Sequence, residues 1–276
     1  MIIDTRAGNG PVDLTGGAVD GSQTLTVNAG TGTVTIGEMG AAAALAGLTV
    51  GTSGTLNFNG TIDAAGISGT ASTVLNVDAA GGNNYTLDAN GGNIDLAGQD
   101  LVIDPGATLM STGGGTVTLR GDTAGDTIGV GSGATAADVD ISEAELLTVD
   151  AATITTIIVG ENGTQSGAIE INDGGGLDIS SLAGVGLEVN TTADTTAGVD
   201  ITTGGGGINL NSNLIIDADR IVDSTGGGAD PAGADVTLGG TVNGDGNGPF
   251  DLDIVAGTGG NVTISGAAGG ISALDS

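Results

Sequence analysis

The residues best suited to hold a ligand lie near the end of the chain. In Asn243-Gly244-Asp245-Gly246-Asn247-Gly248, oxygen-bearing side chains alternate with glycine, and glycine also fills the sixth position. This is the first half of an EF-hand-type loop, where side-chain oxygens at alternate positions gather around calcium. Asn243, Asp245, Asn247 and Asp251 are the candidate Ca2+ ligands, and no other cofactor is expected. The twelfth position is Ile254 instead of glutamate, so a plain turn is the preferred reading. Paired carboxylates could also act on glycosidic bonds. Asp251 with Asp253, and Asp138 with Asp140, are spaced i, i+2 and so share one face of a strand. Such pairs pervade the chain, and solvated outward aspartate accounts for them more simply. Arg120-Gly121-Asp122 spells an integrin-recognition tripeptide but is expected to end a strand, not to sit on a loop. Thr24/Thr26, Thr33/Thr35, Thr116/Thr118 and Thr153/Thr155 are Thr-x-Thr pairs of the kind that order water. They do not recur at a fixed spacing, and ordinary strand threonine is expected.

Composition excludes most other chemistry. The 276 residues include no histidine and no cysteine, so the common acid–base and nucleophilic constellations are missing. An enzyme is not expected. Thirty-three acidic residues face three basic ones, Arg6, Arg120 and Arg220, for a net charge of −30. Such a chain repels nucleic acid and anionic membrane surfaces and attracts cations and water. No apolar run approaches the ~18 residues needed to span a bilayer, so membrane insertion is not expected. The opening Met1-Ile2-Ile3-Asp4 lacks the basic and apolar regions of a signal peptide.

The elements that must position these side chains are short and alternating. Thr24-Leu25-Thr26-Val27, Val34-Thr35-Ile36, Leu56-Asn57-Phe58, Thr116-Val117-Thr118-Leu119 and Val262-Thr263-Ile264 all show the period of two of a strand with one buried face. Roughly 27 such segments of about 3–5 residues follow one another, separated by Gly-Gly, Asn-Gly, Asp-Gly and Ser-Gly turns. Ala41–Leu45 and Ser142–Leu147 are the two places where a single helical turn could form. Only Tyr85, Phe58 and Phe250 are aromatic, and the apolar residues are almost wholly Val, Ile, Leu and Ala. Small branched side chains suit a thin interior of many similar layers, not a wide globular centre.

Internal repeats decide between architectures. Residues 91–121 carry Gly-Gly-Asn-Ile-Asp-Leu, Leu-Val-Ile-Asp, Ser-Thr-Gly-Gly-Gly and Val-Thr-Leu. Residues 205–240 carry Gly-Gly-Gly-Ile-Asn-Leu, Leu-Ile-Ile-Asp, Ser-Thr-Gly-Gly-Gly and Val-Thr-Leu, with Ala229 to Ala234 inserted after the glycine triplet. A second match joins 16–36 to 239–264. Strands every 8–10 residues or so, joined by glycine corners, fit three-sided coils of roughly 20–30 residues stacked about 4.8 Å apart. The expected fold is all-β: a right-handed parallel β-helix, or β-solenoid, running through 1–276 as one continuous segment of a longer repetitive protein. Outward acids on adjacent coils would repel, so they should be staggered, alternated with Thr or Asn, or bridged by Ca2+.

The segments Gly21–Gly32 and Gly125–Ala134, with Thr156–Gly163, resemble large bacterial exoproteins of the filamentous-haemagglutinin, two-partner-secretion kind. Gly125-Asp126-Thr127-Ile128 also resembles one calcium-binding nonapeptide of secreted toxins. The resemblance to the exoproteins implies a right-handed β-helix displayed outside the cell for adhesion or fibre formation. Its partners would be further copies, end to end or side by side, and a host or cell-surface ligand. The alternatives are a carbohydrate-active β-helix enzyme, which would need a groove of convergent carboxylates with raised pKa, and a cation- or ice-binding solenoid.

Overall fold

Branched aliphatic residues separated by single polar ones commit a segment to extended backbone with one dry face. Val34-Thr35-Ile36 forms such a strand, its Val and Ile fully buried and its Thr half-exposed. In the computed structural model, residues 1–52, 54–131, 137–172 and 174–269 are described. They contain 27 strands and one four-residue helix, and every described strand ladder is parallel. The fold is a parallel β-helix. No helix among the described residues is long and apolar enough to cross a membrane.

The chain divides into two compact units, Met1–Asp122 with Thr148–Ile154, and Thr123–Leu147 with Thr155–Ser276. In the first unit one face stacks Ile2–Asp4, Thr24–Asn28, Gly47–Thr52, Ile67–Val77, Ile94–Ile103 and Gly115–Arg120 in that order. A second face stacks Val12–Leu14, Val34–Ile36 and Leu56–Phe58 onto the last residues of Ile67–Val77. The third runs from the bridged residues Val19 and Met39 through Ile62–Asp63 and Thr86–Asp88 to Thr108–Met110. Two strands were expected to be short and are not. Ile67–Val77 and Ile94–Ile103 span 11 and 10 residues and serve two faces each, with a register irregularity between Gly98 and Asp100.

The second unit shows three faces visited in strict rotation. Ile169–Ile171, Leu177–Ile179 and Gly186–Asn190 open the cycle. Asp194–Ala197, Ile201–Thr203 and Ile208–Leu210 lie on them in the same order. Asn213–Ile216, Arg220–Asp223 and Val236–Leu238 make the next layer, followed by Val242–Gly244, Leu252–Val255 and Val262–Ile264. The helix Glu143–Leu146 belongs to this unit, with Ser142 as N-cap in a capping box with Glu145. It forms where a single turn was expected. Ala41–Leu45 does not form one: it follows Gly40 at φ +77 and ends in a bridge from Leu45 to Ala64.

The core is a set of columns. Val12, Val34, Leu56, Leu75 and Leu101 occupy successive layers of one column and are all buried. Each such side chain contributes roughly 1.5–3 kcal/mol on leaving water. Phe58 is fully buried because Gly69, in the neighbouring coil, leaves room for its ring; a Cβ there would meet the ring at 3.0 Å.

Coil length varies while register holds. Leu48 pairs with Ile67 (67 − 48 = 19), and Ile67 with Ile94 (94 − 67 = 27). Corners absorb the difference. In the repeated Ser-Thr-Gly-Gly-Gly, both serines are fully buried braces: the Ser111 hydroxyl donates to the Gly92 carbonyl at 2.8 Å, and that of Ser224 to the Ala234 carbonyl at 2.8 Å. Gly113 and Gly114, like Gly226 to Gly228, hold positive φ, which only glycine adopts without strain. In both copies the strand after the triplet stacks on the strand that opens the copy, Val117 on Ile94 and Val236 on Ile208.

Outward acids alternate with neutral residues. Thr202 stands beside Asp178, while Ser68 and Thr118 flank Asp95. Among the described register pairs only Asp63 and Asp88 set acid against acid. Not every carboxylate faces water, however. Asp78, Asp126 and Asp223 are buried at turns, where their oxygens accept from the backbone amides of Asn83, Thr123 and Thr225. A carboxylate can leave water when amides replace its hydration.

Candidate functional site

The residues singled out as calcium ligands lie on different kinds of backbone. Asn243 is buried in the strand Val242–Gly244, and its side-chain amide donates to the Thr241 hydroxyl at 3.1 Å. Asp245 is exposed and accepts from the backbone amide of Asn247 at 2.8 Å and from its side-chain amide at 2.5 Å. Asp251 is exposed, and its own backbone amide donates to the Asp219 carboxylate at 3.0 Å. Among the described residues no group of three or more Asp or Glu is gathered closely enough to hold a metal ion. Of the nonapeptide-like segment, Asp126 accepts from Thr123 within its own turn. Ser132 to Ala134, which end the Gly125–Ala134 resemblance, lie outside the described residues.

The integrin-like tripeptide is occupied by the fold. Arg120 ends the strand Gly115–Arg120 and grips Asp95 through two bonds, 2.9 and 3.0 Å. Gly121 is buried. Arg6 is likewise paired with Asp4, and Arg220 with Asp217. Every basic side chain of the protein is therefore paired with a carboxylate. The Thr-x-Thr residues do align better than their sequence spacing suggested: Thr26, Thr49, Ser68, Asp95 and Thr118 form one column. Asp95, engaged by Arg120, interrupts it.

A groove that sequence spacing did not reveal lies on the third face of the first unit. Met39, Ile62 and Leu87 stack inward and are buried. By strand alternation their neighbours Glu38, Thr61, Asp63, Thr86 and Asp88 turn outward. Gly40 lets this coil pack closely on the next, since a Cβ there would meet the Asp63 carbonyl at 2.2 Å. Beside this contact lies a concavity of about 310 Å3 lined by Glu38, Asp63, Thr86 and Asp88 over Met39 and Ile62. A second concavity of about 410 Å3 shares Glu38 and Thr61 with it and is walled by Thr15, Asn59 and Tyr85. Its adjoining corner is glycine in two successive coils, which lets their backbones approach closely: a Cβ on Gly37 would meet the Leu14 carbonyl at 2.8 Å, and one on Gly60 would meet Gly37 at 2.3 Å.

No protein-family model, curated protein or solved structure matches the chain. Function is therefore argued from the chemistry of these surfaces.

The groove's best-defined carboxylate is tuned away from acid catalysis. Burial pushes Asp88 up, but bonds from the Thr112 hydroxyl and amide and from the Asn90 amide outweigh it and hold the group below the usual carboxylate range. A general acid for sugar hydrolysis needs the opposite shift. What the groove offers is hydrogen-bond acceptors, hydroxyls, an amide and one aromatic ring. The Glu38 carboxylate and the Tyr85 hydroxyl have no partner among the described residues. Tyr85 is the chain's only tyrosine, and that rarity was the one sequence signal that pointed here.

Proposed function

We propose that the chain is a non-catalytic, structural and adhesive section of a bacterial extracellular surface fibre, part of a longer repetitive protein. One observation supports this above the others: each coil completes the hydrogen bonding of its neighbour. Besides the parallel ladders, outward side chains of one coil accept corner amides of the next. Asn9 takes the amide of Thr31, Asp20 that of Ala42, Asp200 that of Ile221, and Asp235 that of Asn261. Such a structure gains reach by adding coils of about 4.8 Å each without enlarging its core. The resemblance to filamentous exoproteins and the strongly acidic surface agree with display outside the cell, where dense packing demands solubility. Partners are further copies, end to end or side by side, and a surface ligand; the negative charge disfavours nucleic acid and anionic membranes.

The test is electron microscopy of the parent-length product, with and without a calcium chelator, beside adherence of the purified chain to cells. Fibres and saturable adherence are expected, and the chelator arm reports whether calcium takes part. Isolated, non-adherent monomers, or release of reducing sugar from a polysaccharide panel, would overturn the proposal.

A further inference from the structure

We propose that the groove beside Tyr85 binds a neutral saccharide. The proposal rests on the adhesive reading and names the chemical class of its ligand. A sugar presents apolar C–H patches on its ring faces and hydroxyls around its edge. The wall of the groove matches both, since Tyr85 supplies the only aromatic surface among its lining residues and Thr15, Asn59 and Thr61 supply neutral polar groups around it. Glu38, exposed and free of any partner among the described residues, can accept from two adjacent sugar hydroxyls at once. The adjoining concavity extends the same groove past Thr86 to Asp63 and Asp88. Together the two hold about 410 and 310 Å3, space for more than one sugar ring.

Charge selects among saccharides. No arginine lines the groove, and all three in the chain are already paired with aspartates, so uronic-acid and sulfated glycans meet only carboxylates. Neutral sugars carry no such penalty. An open groove with one ring binds weakly by itself, and repeated display on a fibre would raise the effective affinity by avidity.

The protein carries its own reporter, because it has one tyrosine and no tryptophan. Tyrosine emission of the full chain is followed during titration with cellohexaose, maltohexaose and mannohexaose, with oligogalacturonate as the anionic control and calcium chloride as the cation control. A saturable change is expected with at least one neutral hexasaccharide and with neither control. By calorimetry, Tyr85→Ala is expected to weaken that sugar roughly tenfold or more and Tyr85→Phe about threefold at most, with circular dichroism unchanged. Glu38→Gln is expected to weaken it by about three- to tenfold. No response to any neutral sugar, equal binding of oligogalacturonate, the same plateau from calcium alone, or full binding by Tyr85→Ala overturns the inference. Cell adherence is measured in parallel. Adherence without sugar binding removes the groove and leaves the adhesive reading standing. Sugar binding without adherence keeps the groove and removes that reading.

Discussion

The Asp88 carboxylate reaches into the next coil and accepts two bonds from Thr112, 2.8 Å from its backbone amide and 2.6 Å from its hydroxyl. Twenty-four residues separate the two, one turn of the solenoid. The same oxygen that takes the Thr112 amide also takes that of Asn90, so one side chain closes its own turn and fastens the neighbouring coil. Corner amides have no strand partner, and an acceptor held against them replaces water. Asp88→Ala leaves these donors to solvent and is expected to cost about 1–3 kcal/mol in urea unfolding. Asp88→Asn keeps one acceptor oxygen and should cost less. Equal stability of Asp88→Ala and the wild-type chain would show that water serves the corner as well.

Acid should loosen the stack. Asp13 is held below the usual carboxylate range by the Thr15 hydroxyl and amide, Asp138 by the amide and hydroxyl of Thr127, and Asp235 by the amide and side chain of Asn261. Asp88 is lowered as well. A group whose pKa is depressed by folding adds stability above its unfolded value, and that stability is lost as pH falls through the folded value. Above the unfolded range, near 4, these bonds contribute fully. As pH falls further, protonation of the depressed groups breaks these bonds and removes their contribution. The urea midpoint should therefore fall between about pH 4 and pH 2. A midpoint that rises throughout that interval would contradict the assignment.

Close approach of coils at glycine makes the sharpest mutational contrast. A Cβ on Gly206 would stand 1.9 Å from the Val185 carbonyl oxygen, with only backbone to yield, whereas one on Gly125 would meet nothing within 4 Å. Neither residue has positive φ, so space alone distinguishes them. Gly206→Ala is expected to lose about 2 kcal/mol or more, because two coils must separate, and Gly125→Ala to stay within about 0.5 kcal/mol of wild type. Thermal unfolding followed by circular dichroism measures both.

Much of the fold was legible because the pattern that makes a strand is local. Val-Thr-Ile and Leu-Asn-Phe declare their buried face within three residues, and the Ser142–Leu147 turn declared itself by a cap residue with glutamate three positions on. The register of the coils was not legible, since corners of unequal length decide which residues meet. Thr26, Thr49 and Ser68 are unevenly spaced in sequence yet stack in one column. Glu38, Thr61 and Tyr85 are almost evenly spaced, but with neighbouring coils of 19 and 27 residues no single repeat length marked them as one groove. The double role of aspartate was hidden too. Composition shows an acid, but only the coil geometry shows that Asp20, Asp88 and Asp235 each face an amide of the following turn.

Asp63 and Asp88 stand opposite each other on adjacent strands, the one described place where the register sets two acids together. Two unit charges about 5 Å apart repel by roughly 1 kcal/mol in water. The Asn90 side-chain amide donates to Asp63 at 3.0 Å and eases the contact without neutralising it. In Asp63→Asn, a side-chain oxygen can still accept that bond, while the charge on one side of the pair is gone. The variant should be more stable than wild type by up to about 1 kcal/mol at low ionic strength, on a chain already carrying a net charge of −30. Screening weakens repulsion between exposed charges, so the gain should shrink toward zero at about 0.5 M sodium chloride. Urea unfolding at both salt concentrations measures it. A gain of the same size at high salt would mean that repulsion between the two carboxylates is not its source.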